Sequence, residues 1–396
     1  MKIAWYSNAP WAGTGYGQQT DITTELLTAA GHDVAILANY GLNGAPRGWK
    51  GMPVYPGGYD TWANDVLSLH SRHHFGESNG VIVTLCDVWV IKNPALKDMP
   101  LASWVPIDHT PIPPKVAQFF AEYNSHPIAM SKFGLAELQN LGLDASYVPH
   151  AIDTDLFRPL TEIDGRPVRE VLGLPADAFV VGMNAANKGS HKIRKSFPQV
   201  FLAFAMFQRK RPDAILYLHA EKFGHSAGVD LVRLAQACGV PESAIRYTDQ
   251  YAYRMGLKPE LLAAMYSCFD VLASPSMGEG FGIPVVEAQA CGVPVIVSDA
   301  TAQPELCGSG WTVGGVPDWD EAQASWLHLP DVFEIAAAMD EAYEGHGDRE
   351  EARQFALGYS HTTVYEDHWV PVLERLATMV ELPSVDFEVE PVRFDG

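Results

Sequence analysis

The sequence predicts an α/β protein made of two parallel-sheet domains that face each other across a cleft. Three observations carry this expectation. Short apolar runs alternate with helical patterns along most of the 396 residues. A stretch rich in Pro, Gly and charge, Ala151–Ala178, splits those runs into two sets. Glycine-rich turns follow strand-like runs in both sets, at Gly13–Gly17 and Gly278–Gly282. Alternation of strands and helices is the pattern of parallel sheets covered by helices on both faces.

In the first set, Ile3–Tyr6, Val34–Ala38, Val81–Leu85, Ala102–Pro106, Pro127–Met130 and Ser146–Val148 read as strands. Gln18–Ala30, Thr61–His74 and Phe133–Leu141 read as helices between them. In the second set, Phe179–Met183, Ile215–His219, Ala244–Thr248, Val271–Ser274 and Val295–Ser298 read as strands. Gln199–Lys210, Asp230–Cys238, Pro259–Cys268 and Pro284–Cys291 read as their helices. Strand runs are short and apolar, and the helical runs carry the 3.6-residue period. The expected division is a Rossmann-like domain over 1–150, a linker over 151–178 and a second Rossmann-like domain over 179–361. Thr362–Met379 reads as a last amphipathic helix, and Glu381–Gly396 as a loosely ordered acidic tail. In open α/β sheets a ligand cleft faces the strand C-termini.

Composition narrows the function. The net charge of −21 repels polyanions and anionic membrane surfaces. It argues against a nucleic-acid substrate, because duplex affinity depends on cationic phosphate contacts. A modified nucleobase remains open as an acceptor. No apolar run approaches a membrane span of ~18 residues. Met1–Tyr6 reads as a first strand rather than a secretion signal. The five cysteines contain no CxxC pair and read as free thiols of a reducing cytoplasm.

The chemistry concentrates in Ser274-Pro-Ser-Met-Gly-Glu-Gly-Phe-Gly-Ile-Pro-Val-Val-Glu287-Ala288. A strand runs into it, and Pro284 suits the first turn of a helix, where a missing N–H costs nothing. Backbone amides at such a junction face outward and favour an anion. Gly280 and Gly282 let the backbone come close to a ligand. Glu287 can accept two hydrogen bonds from a diol. An anion beside a diol describes a nucleotide sugar.

This segment resembles the E-x7-E signature of retaining GT-B glycosyltransferases of family 4, with Glu279 and Glu287 as its two glutamates. Val148–Pro159 is similar to that family's interdomain segment, with His150-Ala151 where Asn-Gly is usual. Ala288–Pro304 follows the family pattern closely. The opening Asn8-Ala9-Pro10-Trp11 with Gly15-Tyr16-Gly17 looks similar to bacteriophage-encoded members. The resemblance implies a GT-B architecture with the last helix packed back on the first domain. It also implies a nucleoside-diphosphate sugar as donor, UDP- or GDP-linked, with no cofactor and no bound metal.

The resemblance assigns roles by position. Glu279, Gly280, Phe281, Gly282 and Ile283 would hold the sugar and distal phosphate, and Glu287 the ribose. Lys195, then Arg194, would neutralise the leaving diphosphate, with Lys188 as a substitute. The family's Arg after the strand glycine is Met183 here, a departure. His109, at the end of the Leu101–Pro106 strand, would contact the transferred sugar beside Asp108. Gly15 and Gly17 would approach the donor phosphates, in a loop that is not a dinucleotide fingerprint because position 18 is Gln. Tyr247 would lie near the base. Trp11, Tyr16 and Asp108 are candidates for acceptor contact. His70, His73 and His74 lack a matching carboxylate or Cys and read as a solvated helix end. A GT-B epimerase, a phosphorylase and a catalytically silent binding subunit remain alternatives. The acceptor and the oligomeric state stay open.

Overall fold

The computed structural model describes residues 1–189 and 192–381, so most of the expected acidic tail lies outside the described residues. The first sheet comprises β1 (Lys2–Asn8), β2 (Asp33–Tyr40), β3 (Arg47–Trp49), β4 (Met52–Tyr55), β5 (Gly80–Leu85), β6 (Leu101–Val105), β7 (Ser125–Ala129) and β8 (Ser146–Tyr147). Its order is β3-β4-β2-β1-β5-β6-β7-β8, and only the β3–β4 pair is antiparallel. A small hairpin, β9 (Glu162–Ile163) and β10 (Arg166–Pro167), lies in the connecting segment.

The second sheet comprises β11 (Val180–Asn184), β12 (Ile215–His219), β13 (Ile245–Tyr247), β14 (Val271–Ser274), β15 (Val295–Ser298) and β16 (Gly310–Val313). Its order, β13-β12-β11-β14-β15-β16, is parallel throughout. Numbered within its own domain this is 3-2-1-4-5-6, the doubly wound order. Its switch point lies between β11 and β14. The same reversal in the first sheet lies between β1 and β5. A further hairpin, β17 (Gly315–Asp320) and β18 (Ser325–Pro330), leaves the second domain toward the first.

Apolar runs that are buried from end to end explain the central strands. All six residues of β5 and all five of β6 are buried, as expected for parallel strands covered on both faces. One core fills the outer face of the first sheet, around Ala4, Ile82 and Val105. Another fills one face of the second sheet, around Phe201, Phe204 and Leu216. A third is shared, running from Ile3 and Trp5 through Trp104 to Phe281, Val285 and Leu272.

The expected strands form, with small changes of boundary. Additional elements include β3, β4, the edge strand β16, the β9–β10 and β17–β18 hairpins and helices Pro114–Glu122, Val332–Tyr343 and Arg349–Leu357. The first helix starts at Gly15, three residues before its expected start. Thr14 caps it by accepting from Gly17 N at 3.0 Å, so Gly15 and Gly17 are first-turn residues. The last helix is not continuous. His361–Val364 passes through a wide turn at Tyr365–Trp369 into Val370–Glu381. Pro371 lacks the N–H that would bond back to Asp367, and a π-type turn absorbs the gap.

This last helix packs on the first domain. Trp369 is 2% exposed, with its ring 5.8 Å from Trp5 and 5.1 Å from Trp104. Arg375 pairs with Asp144, and Asn79 Nδ2 donates to Val380 O at 3.3 Å. Replacing Trp369 by Ala removes the centre of this cluster. The expected loss is about 3–5 kcal/mol, read by urea unfolding followed by tryptophan fluorescence. A loss under about 1 kcal/mol would mean that the helix does not tie the domains together.

Candidate active site

The loop Ser274–Gly282 leaves β14 at the switch point of the second sheet and enters helix Ile283–Ala290. Buried side chains fix its path. Gln303 donates to Ser274 O at 2.6 Å, and Ser298 Oγ donates to Ser276 O at 2.7 Å. Thr301 Oγ1 accepts from Glu279 N at 3.0 Å. Gln289, fully buried, donates to Leu306 O and accepts from Gly308 N and Ser309 N. Buried polar groups paired in this way rigidify a loop. Gly282 caps the helix at φ 132°, where a side chain would be strained, and it offers no capping oxygen. Pro284 has no N–H and Val285 N bonds Gly282 O at 2.9 Å, so Ile283 N is the first-turn amide left for an anion.

Glu279 is 7% exposed and is gripped by two cations. Lys195 Nζ bonds one carboxylate oxygen, and Arg194 Nη1 donates to the other at 3.0 Å. Arg194 also donates to Gly278 O. Burial alone would raise the Glu279 carboxyl, but Lys195 and Arg194 outweigh it and hold it at about 2. Burial pushes Lys195 down, against the pull of Glu279. Arg194 is held well above its ordinary value: burial opposes the charge, and Glu279 and Asp108 prevail.

Glu287 is 3% exposed and lies eight residues further on, inside the helix. Its carboxylate accepts from Gln18 Nε2 at 2.8 Å and from Tyr266 Oη at 2.8 Å. Tyr266 in turn accepts from Asn184 Nδ2, at the end of β11, at 2.6 Å. Burial raises Glu287, and the bonds from Gln18 and Tyr266 partly offset it. Gln18 belongs to the first domain, so this bond crosses the cleft.

The first domain supplies Asp108 and His109 from the end of β6. His109 Nδ1 and Asp108 Oδ1 lie 2.6 Å apart, and Asp108 Oδ2 is 3.9 Å from Arg194. Asp108 is lowered, because His109 and Arg194 outweigh the burial that would raise it. Asp87, two residues past the end of β5 at the other switch point, is exposed. The crowding of protein around it and the neighbouring Asp108 push its carboxyl up. Enclosure raises the Tyr16 hydroxyl well above its usual range, with Asp87 next in effect.

The structure thus brings together Glu279, Arg194, Lys195, Asp108 and His109, and places Glu287 beside Gln18 and Tyr266. Phe281 offers only its backbone, because its ring is buried 5.1 Å from His150 and 5.7 Å from Tyr359. His150 is 3% exposed, both its ring nitrogens lack a partner, and burial lowers it to about 3, so it is neutral. The close approach at Gly280 is to the first domain: a Cβ there would stand 2.6 Å from Pro106 Cβ. A Cβ on Gly15 would stand 3.1 Å from Ile283 Cδ1, again across the cleft. Gly17 is packed against Ala12 O inside its own domain.

Lys188 is exposed and lines a cavity of about 240 Å³ with Lys192, Lys195, Gly189, Phe197 and Gly228. Lys192 pairs with Asp318 of the hairpin. Met183 is 1% exposed in the second core and faces away from this chemistry. Tyr247 ends the edge strand β13, with the Lys222 amine 4.7 Å over its ring. Trp11 donates to Gly41 O at 2.9 Å and packs on Trp49 at 5.5 Å. His70 and His73 pack on Tyr55, and His74 bonds Asp33 O, so the three histidines act in packing. All five cysteines are unpaired.

Sequence reasoning missed Gln18, Tyr266, Asp87 and Asp320. Asp87 follows a recognisable strand end at a switch point, a usable signal. Gln18, Tyr266 and Asp320 carry no such signal, because their partners lie far away in sequence.

Comparison with known proteins agrees with this geometry. Residues 179–343 match the sequence family described as Glycosyl transferases group 1. A D-inositol 3-phosphate glycosyltransferase of Segniliparus rotundus is 30% identical over 214 residues, 51% of this chain and 42% of that protein. A GDP-mannose-dependent alpha-(1-6)-phosphatidylinositol monomannoside mannosyltransferase of Mycolicibacterium smegmatis is 29% identical over 205 residues, 49% of each chain. The chain spans half or less of the length of these curated relatives.

Among solved structures, the sucrose-phosphate synthase of Thermosynechococcus elongatus superimposes with a TM-score of 0.67 at 18% identity, covering 96% of this chain and 98% of that one. Anabaena HepE in complex with UDP and glucose gives 0.66 at 18% identity, covering 96% of this chain and 100% of that one. The chain has the GT-B fold: two Rossmann-like domains with parallel sheets facing a cleft. Its second domain carries the Glycosyl transferases group 1 match. Among the described residues, no helix is long and apolar enough to cross a membrane.

Gly280→Ala tests the domain contact. A Cβ there meets the rigid Pro106 ring at 2.6 Å and Pro106 Cα at 2.9 Å, not a flexible side-chain tip. The expected result is a larger radius of gyration in small-angle scattering and a loss of about 1–3 kcal/mol. Unchanged scattering and stability would mean that the loop and Pro106 are not in contact in solution.

Proposed function

We propose that this chain is a retaining glycosyltransferase that moves a hexose-type sugar from a UDP- or GDP-linked donor to a hydroxyl acceptor. The observation that carries the reading is the pair Glu279 and Glu287 at the switch point of the second sheet, with Arg194 and Lys195 on Glu279. The family match over the same domain supports it, as do the nucleotide-sugar donor in the name of one relative and the UDP in a similar structure.

In this reading the second domain holds the donor. Glu287 takes the ribose hydroxyls in place of Gln18. The amides of Gly280, Phe281, Gly282 and Ile283 meet the distal phosphate. Glu279 accepts from a sugar hydroxyl, which frees Lys195 and Arg194 to face the leaving diphosphate. Fixed charge near a growing negative charge lowers a barrier without reorganisation. The reaction is a front-side displacement. The bond from the anomeric carbon to the phosphate oxygen breaks as the bond to the acceptor oxygen forms on the same face. The acceptor proton passes to the leaving phosphate oxygen. The carboxylates Asp87 and Asp108 line the acceptor side, and His109 faces the sugar from the first domain. Lys188 adds charge at the rim, and no metal or cofactor is required.

Thermal shift in EDTA tests donor binding and the division between the domains together. UDP or GDP at about 100 times its dissociation constant should stabilise the chain by about 2.7 kcal/mol. His109→Ala should keep that shift and lose sugar transfer. Lys195→Ala should lose turnover by about 3 kcal/mol in barrier. Proton NMR of the product from an α-linked donor should show an α-linkage. No shift with any nucleoside diphosphate would end the transferase reading, and a β-linkage would end retention.

A further inference from the structure

The β17–β18 hairpin belongs to the second domain, yet it is bound along the His109 loop of the first. Thr110 N and Trp326 O lie 3.2 Å apart, as do Trp326 N and Thr110 O. Ser325 Oγ donates to Pro111 O, and Lys115 Nζ donates to Ala322 O at 2.9 Å. On its other side the hairpin returns to the donor loop, with His328 N donating to Met277 O at 2.8 Å.

The faces of the hairpin are sorted in an unusual sense. Trp319 and Trp326, a cross-strand pair, are 41% and 42% exposed. Asp318, Asp320, Ser325 and Leu327 share the opposite, inward face. Polar groups turned inward need partners, and both aspartates have one. Asp318 pairs with Lys192. Asp320 Oδ2 lies 3.3 Å from His109 Nε2, with its side chain only 13% exposed.

His109 therefore stands between two carboxylates, Asp108 on Nδ1 and Asp320 on Nε2. We propose that Asp320 is the positioning residue for His109: a carboxylate of the donor domain fixes the orientation of the acceptor-domain ring once the domains have docked. The proposal rests on the transferase reading for its functional consequence, and on the hairpin geometry for its placement. A ring with an acid on each nitrogen has one orientation, and both nitrogens act as donors only in the imidazolium. Burial works against that charge, but Asp108 and Asp320 prevail and raise His109 above its ordinary value. The other charged groups near the ring are Arg194, 3.9 Å from Asp108, Glu279, which holds Arg194, and Asp87, which neighbours Asp108. Glu137 faces the same loop through Thr110 Oγ1, at 3.3 Å. A raised value means that the charge is present at low pH and lost as pH rises through it. Activity that needs the imidazolium then falls on the basic side.

The test compares the full chain with Asp320→Asn and Asp320→Glu. Proton NMR titration of the His109 ring, assigned with His109→Gln, needs no substrate. In Asp320→Asn the midpoint should fall by about one pH unit or more, and Asp320→Glu should recover most of it. Turnover is read as nucleoside diphosphate released from UDP-glucose and GDP-mannose across pH. It should drop about tenfold or more in Asp320→Asn, with the basic limb displaced downward alongside the NMR midpoint and the UDP or GDP thermal shift retained. An unchanged His109 midpoint overturns the proposal, and so does an unchanged pH profile. If neither nucleotide binds the wild type, the transferase reading fails, and the titration still decides whether Asp320 holds His109.

Discussion

Glu279 is a carboxylate taken out of water, and the cleft is built around what keeps it charged. An isolated buried carboxylate would take up a proton instead. Arg194 and Lys195 prevent that, and they come from a loop before helix Phe197–Lys210 on the next strand over. Their presence requires β11 and β14 to be neighbours, which the doubly wound order provides. From Arg194 the charge chain continues to Asp108, then His109, then Asp320. Alternating signs therefore run out of the second domain, through the first and back. Removing one member of such a network costs more than the pair is worth, because its partner is left uncompensated.

The same arrangement explains why the domains sit so close. Gly278 and Gly280 leave no side chain between the donor loop and the end of β6. Phe281 fills the gap beneath them against His150 and Tyr359. His150 stands where the resembling family usually has Asn, buried and neutral with no hydrogen-bond partner, and Trp104 closes over it at 4.7 Å. The shared core and the charge network hold one interface by different means: screening by salt weakens the second and not the first.

Much of this was legible in the sequence, for physical reasons. Buried parallel strands read as continuous apolar runs, so β1, β5, β6, β11 and β14 stand out. Asp230 before Leu231 and Pro284 inside its helix mark helix starts by their capping chemistry. Glu279, Glu287, Arg194, Lys195, Asp108 and His109 were singled out by the resemblance to one family's motifs rather than by local pattern alone. The β17–β18 hairpin was not. Its alternation points tryptophans outward and aspartates inward, the reverse of the pattern that signals a half-buried strand. Gln18 was legible only as the residue that breaks a dinucleotide fingerprint. Its bond to Glu287 spans 269 positions, and nothing local encodes it. The early start of the first helix follows from Thr14, whose capping role is hidden among three glycines.

Gln18 and Tyr266 occupy both oxygens of Glu287. In the proposed reading a bound nucleotide takes over the place of Gln18, because the ribose and that amide compete for one carboxylate oxygen. A crystal structure of the full chain with UDP or GDP tests this most directly. The expected result is ribose hydroxyls on Glu287, Gln18 displaced from it, and the distal phosphate on Lys195. A nucleotide bound elsewhere, with the Gln18–Glu287 bond intact and Lys195 still closed on Glu279, would contradict it.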